Sequence, residues 1–80
     1  MSEAVPTDVQ AAIQSDGTLR PRAFTYGGRR LDVIYTGRQW LEGQTRHVLV
    51  MTGAHDTFEL MVEMPQMRWT VMRISKPLVV

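Results

Sequence analysis

A pair of adjacent glycines between two runs of alternating apolar residues constrains this chain more than any other feature. In Phe24-Thr-Tyr-Gly-Gly-Arg-Arg-Leu-Asp-Val-Ile34, Gly27 and Gly28 stand where the alternation breaks. A two-residue type I′ turn needs positive φ at both central positions, which glycine adopts without steric cost. The spacing therefore predicts an antiparallel hairpin with Tyr26 opposite Arg29 and Phe24 opposite Leu31.

The same reading extends in both directions. Asp16-Gly17 is a second two-residue hairpin signal. Residues 8–14 before it read either as a strand, with Val9, Ala11 and Ile13 on one face, or as a helix capped by Thr7. The turn that follows favours the strand. Thr18 to Tyr26 reads as extended, and Pro21, which lacks an N–H, belongs at an edge or a bulge. After the Gly-Gly turn, Leu31, Val33 and Tyr35 share a face and Ile34 takes the other. Gly37 marks a bulge or bend, and Trp40 and Leu41 sit in a short bend closed by Gly43.

Thr45 to Thr52 is apolar on both faces, which predicts a central or covered strand. In Thr57 to Met64, Phe58, Leu60 and Val62 point in while Glu59 and Glu63 point out. Pro65-Gln66 turns the chain into a last strand, Met67 to Ser75, ended by Lys76-Pro77.

Five or six short strands without a helix predict an all-β fold. A small antiparallel meander in a strongly bent sheet, or an SH3-like partly open barrel, hides the apolar face and limits free edges. Residues 1–7 read as a flexible leader and residues 8–80 as one β domain.

With 80 residues and no cysteine, the thin core must hold without disulfides or thiolate-bound zinc. Absent cysteine fits a cytoplasmic setting. Neither a signal peptide nor an apolar run of membrane-spanning length is visible, so a soluble protein is expected. The net charge of +1 conceals an acidic start (Glu3, Asp8, Asp16) and a basic remainder with nine bases against five acids. Eight of the nine are Arg. Arg suits phosphate by its bidentate fork, but a pI near 8.3 falls short of a dedicated nucleic-acid binder.

No catalytic constellation emerges. His47 and His55 match no zinc spacing. Ser2, Ser15 and Ser75 lie in a leader, a turn and a strand end, not in a nucleophile elbow. Glu59 and Glu63 lie about 13 Å apart along a strand, too far to act on one glycosidic bond. The Gly-Gly turn leads into a strand, whereas phosphate loops lead into a helix. No enzyme, metal, cofactor or small-molecule substrate is expected.

Two surfaces remain. Met61, Met64, Met67 and Met72, with Trp40, offer adaptable apolar contacts to a protein partner or a second copy. Arg20, Arg22, Arg29 and Arg30 offer phosphate contacts. Strict alternation would set Arg20, Arg22, Phe24 and Tyr26 on one side, where the rings either stack on bases or belong to the core beneath the Arg stems. The core reading is preferred.

The series also resembles a family of small bacterial β domains of unknown function. The likeness rests on Asp16-Gly17, Pro21-Arg22-Ala23-Phe24-Thr25-Tyr26, Gly28-Arg29-Arg30, Val33, Trp40, Glu59-Leu60 and Trp69. Members are often encoded beside, or fused to, translesion-type DNA polymerases. The resemblance thus implies an accessory nucleic-acid-binding role in DNA repair or translesion synthesis, as the alternative to protein interaction. The chain departs from the pattern in the Met-bearing strand Glu59-Leu60-Met61-Val62, where relatives more often carry an aromatic residue.

Overall fold

A computed structural model of the chain describes residues 4–74. They form seven antiparallel strands and no helix: β1 (Val5–Pro6), β2 (Val9–Ile13), β3 (Leu19–Tyr26), β4 (Arg29–Glu42), β5 (Thr45–Thr52), β6 (Thr57–Glu63) and β7 (Arg68–Ile74). The strands pair in the order β1-β7-β6-β5-β4-β3-β2. Strands β1 and β2 lie at opposite ends of that order, yet only Thr7 and Asp8 separate them along the chain. The sheet must therefore curl until its two ends meet, which gives a half-closed barrel.

Thr7 pins the seam. Its N–H donates to the Trp69 carbonyl on β7 at 3.2 Å. Its hydroxyl donates to the Thr25 carbonyl on β3 at 2.6 Å and accepts from the Thr25 N–H at 3.1 Å. The leader expected over residues 1–7 is thus partly structural, because Val5 and Pro6 pair with Val71 and Thr70. Residues 1–3 lie outside the described region.

The hairpins follow their turn residues. Gly27 and Gly28 have φ of 60° and 77°, the type I′ combination, and Tyr26 pairs with Arg29 and Phe24 with Leu31 as expected. The Asp16-Gly17 turn is longer than expected. Gln14 N–H donates to the Thr18 carbonyl and Gly17 N–H to the Gln14 carbonyl, so Ser15, Asp16 and Gly17 form a three-residue loop with Gly17 at φ 87°. A type I turn followed by a left-handed residue has this form.

Three bulges decide which side chains face the core. Between β2 and β3 the register runs Gln10↔Ala23, then Ala11↔Pro21, leaving Arg22 unpaired. Strict alternation therefore fails on β3: Leu19 and Pro21 are buried before the bulge and Phe24 after it, while Arg20 and Arg22 are exposed. Pro21 lies beside this bulge, as its missing N–H demands. On β4 the register skips Ile34 and then one residue between Thr36 and Gln39. The first skip turns Tyr35 outward, 42% exposed, away from the core that Leu31 and Val33 join. The second absorbs Gly37-Arg38, so Trp40 and Leu41 continue β4 and do not form the expected bend.

The core lies inside the curl: Phe24, Val48, Val50, Phe58, Leu60 and Val71, ringed by Val9, Tyr26, Leu31, Val33 and Trp69. Phe58 on β6 meets Phe24 and Tyr26 on β3 edge-on, with centroids 5.0 and 4.9 Å apart. Strands β6 and β3 are not neighbours in the sheet, so these aromatic contacts close the curl, each worth about 0.5–1.5 kcal/mol beyond area burial.

Candidate interaction surface

The β3–β4 ladder stops at Ala23↔Asp32, and beyond it the two strands diverge. Gln39 spans the gap: its Oε1 accepts from the Leu19 N–H at 3.0 Å and its Nε2 donates to the Leu19 carbonyl. One side-chain amide thereby replaces the peptide group of a missing neighbour. The divergence leaves an end of the half-barrel open, and the open end is apolar.

Four side chains surround that mouth: Ile13 at the end of β2, Leu41 near the end of β4, and Met64 and Met67 in the β6–β7 turn. They are 67%, 58%, 40% and 42% exposed and border one groove of about 480 Å³ with Leu19 and Pro65. Among the described residues, Arg46 is the one charged residue along it. Each position has a local cause. Ile13 lies two residues before Ser15 of the Ser15–Gly17 loop and Leu41 two residues before Gly43 of the Gly43-Gln44 turn, where few neighbours remain to cover them. Met67 is held at φ 57° by a turn whose Met64 N–H donates to the Gln44 carbonyl at 2.9 Å.

The structure divides the residues expected to form the contact surface. Met64 and Met67 lie at the mouth. Met61, Met72 and Trp40 lie on the outer face of the sheet, half-buried, since His47 pairs with Trp40 on one side and Met61 on the other, and Glu59 with Met72. Ile13 and Leu41 escaped the sequence reading. The available signal was an apolar residue two positions before a tight turn.

A polar cluster crosses the outer face. The His47 ring stacks on Trp40, with centroids 5.0 Å apart and planes 3° from parallel. Its Nδ1 lies 2.7 Å from Glu59 Oε2 and its Nε2 lies 3.6 Å from Glu42 Oε1. An ionised carboxylate only accepts, so Nδ1 carries the proton. Trp40 Nε1 donates to Glu42 at 3.1 Å. Glu59 is therefore not the solvated surface residue that alternation predicted; its side chain is 15% exposed. A His–carboxylate pair orients an imidazole, but nucleophilic catalysis also needs a nucleophile in hydrogen-bond reach. No hydroxyl is hydrogen-bonded to His47 among the described residues. Nor do three His, Asp or Glu side chains converge there as metal ligands would.

Arg20, Arg22, Arg29 and Arg30 are all exposed. Among the described residues, none is within 4.0 Å of a carboxylate oxygen, and Arg30 bonds the Gln10 side chain. Phe24, at 1% exposure, and half-buried Tyr26 pack on Phe58, so the rings belong to the core and offer no stacking platform. Ser75 and Lys76-Pro77 lie outside the described residues. Among the described residues no helix is long and apolar enough to cross a membrane. Compared with protein-family models, curated proteins and solved structures, the chain matches none.

Proposed function

We propose that this chain is a non-enzymatic β module that acts by binding polypeptide, either another protein or a second copy of itself, through its open mouth. The observation that carries the reading is the convergence of Ile13, Leu41, Met64 and Met67 on one groove. Single exposed apolar residues are ordinary on any protein surface. Several around one groove on so small a domain mark a contact site. Two are methionines, whose unbranched thioether chains adapt to varied partners. Met61, Met72 and Trp40 on the outer face are a secondary contact area. The lack of cysteine fits action in the cytoplasm.

Site-specific photo-crosslinking tests this in cells. A benzophenone side chain at Leu41 or Met67 should give protein adducts, with another protein or with the chain itself, and one at Ala54 in the opposite turn should not. Equal labelling at all three positions refutes the reading.

A second reading has its own support: four exposed arginines, without carboxylate partners among the described residues, suit polyanion contact, in line with the resemblance to domains found near translesion-type polymerases. Phosphate contacts make affinity fall steeply with salt. A titration of single-stranded and duplex DNA at low salt that yields no binding removes it.

A further inference from the structure

The mouth is bordered by β2, and β2 has a free edge. Among the described residues no strand pairs with its side away from β3. The ladder fixes which backbone groups point there. Gln14 N–H donates to the Thr18 carbonyl, Thr25 N–H donates to the Asp8 carbonyl, and Leu19 directs its own N–H and carbonyl to Gln39. Asp8, Gln10, Ala12 and Gln14 therefore face β3. By alternation Val9, Ala11 and Ile13 present N–H and carbonyl groups to the open side.

Natural sheets guard such edges with Lys, Pro, bulges or inward-pointing charges. The edge Val9-Gln-Ala-Ala-Ile13 has neither a charge nor a proline. Its side chains do not repel an identical strand. The register shift at Gln10/Ala11 puts the extra residue, Arg22, on β3, so β2 itself stays regular. At the other end of the sheet the free side of β7 is partly blocked by β1, which pairs with Thr70 and Val71.

We infer that the free edge of β2 pairs antiparallel with the same edge of a second copy, about a two-fold axis at Ala11. This rests on the reading of the mouth as a polypeptide-contact site and names its occupant. Centring the pairing on Ala11 sets Val9 opposite the partner copy's Ile13 and Ile13 opposite its Val9. All three positions are of the type that exchanges both an N–H and a C=O bond. Two β-branched residues meet in each flanking pair, a favourable cross-strand combination. The contact is isologous, so it closes at a dimer and does not propagate. It also covers Ile13, the most exposed large apolar side chain among the described residues.

Sedimentation velocity on the full chain from about 1 µM to about 500 µM should show a monomer–dimer equilibrium. Ala11→Lys places like charges across the axis and should weaken the dimer by about 100-fold or more. Ala11→Pro removes the central N–H, which β3 does not use, and should do the same, whereas Ala54→Lys should leave the dimer intact. Hydrogen exchange reads the edge without substitution: the Val9, Ala11 and Ile13 amides should gain protection as concentration rises. A monomer throughout that range overturns the inference, as does a dimer indifferent to both Ala11 variants or edge amides whose exchange ignores concentration. Crosslinks from Leu41 to a different protein, with the chain itself monomeric, overturn this inference and leave the proposed function standing. Loss of position-specific crosslinks removes both.

Discussion

Gln39 gives the sharpest stability test, because one side chain substitutes for a strand. It satisfies the N–H and carbonyl of Leu19, a residue only 6% exposed, at the point where β4 has left β3. Gln39→Leu keeps the bulk and removes both partners. An orphaned buried backbone group costs about 1–3 kcal/mol. The cleft beside Gln39, lined by Thr18, Leu19, Val33 and Thr36, is open to water. Water takes up part of the loss, so the lower half of the range applies, about 2–4 kcal/mol for the two groups together. For a domain of this size that is a fall in Tm of roughly 8–30 °C. Gln39→Glu serves as a partial control, because a carboxylate still accepts from the Leu19 N–H but meets the Leu19 carbonyl with a repulsive oxygen. Urea unfolding followed by tryptophan fluorescence measures each variant. Equal stability of Gln39→Leu and wild type, within about 0.5 kcal/mol, would refute the argument that the amide stands in for a strand.

Other perturbations follow from the turns, the core and the seam. The Gly53-Ala54-His55 loop repeats the bonding of Ser15-Asp16-Gly17, with His55 at φ 64° in the glycine position; His55→Gly should gain about 0.5–1 kcal/mol by thermal melting, and Gly17→Ala should lose about 1–2 kcal/mol. Phe58→Ala removes both edge-on contacts at a cost of about 3–5 kcal/mol, against a total stability on the order of 4–12 kcal/mol, so circular dichroism should show a largely unfolded or barely cooperative chain. Thr7→Val should open the seam, read as faster exchange of the Thr25 amide, with a loss of about 1 kcal/mol. The side-chain and backbone hydrogen bonds from Thr18 hold the Asp16 carboxyl below its ordinary value of 3.8. The unfolded chain then binds the proton first, so this stabilisation is complete above about pH 4 and is lost as pH falls through the lower folded value. Asp16→Asn should flatten the acid limb of a pH–stability profile.

The fold class was legible in the sequence because turn chemistry is local. Gly27-Gly28 fixed its hairpin register, and the alternation in Thr57–Glu63 sorted its faces as found. The misreadings share one cause. A bulge adds a residue whose exact position has no local mark, and every later side chain changes face. Arg22, Ile34 and Gly37-Arg38 did this to Phe24, Tyr35 and Trp40 in turn. Gly37, and Pro21 beside the Arg22 bulge, carried the compositional hints. The seam was invisible for a different reason: Val5-Pro6 is too short to show a period, and its partner β7 lies more than sixty residues away. The mouth depends on that closure, so Met64 and Met67 could be named from composition while Ile13 and Leu41 could not.

The hairpin-tip arginines, Arg29 and Arg30, and the mouth lie at opposite ends of one strand, which makes their contributions separable. Arg29 and Arg30 stand beside Tyr26 at one end of β3, and the mouth begins at Leu19 at the other. Seven residue steps place these ends about 23 Å apart, more than twice the Debye length at physiological salt. Charge at the hairpin tip therefore contributes little to a contact at the mouth, and apolar burial at the mouth contributes little to a polyanion at the tip. Salt distinguishes them by sign. Association through Ile13, Leu41, Met64 and Met67 rests on apolar burial, which salting-out ions such as sulfate strengthen. Binding of a polyanion by Arg20, Arg22, Arg29 and Arg30 releases counterions, and its affinity falls linearly with the logarithm of salt concentration. Arg29→Gln with Arg30→Gln should reduce that slope by about 2 and leave self-association unchanged. If the double variant instead abolishes the dimer, the hairpin tip belongs to the protein interface and the division between the two ends fails.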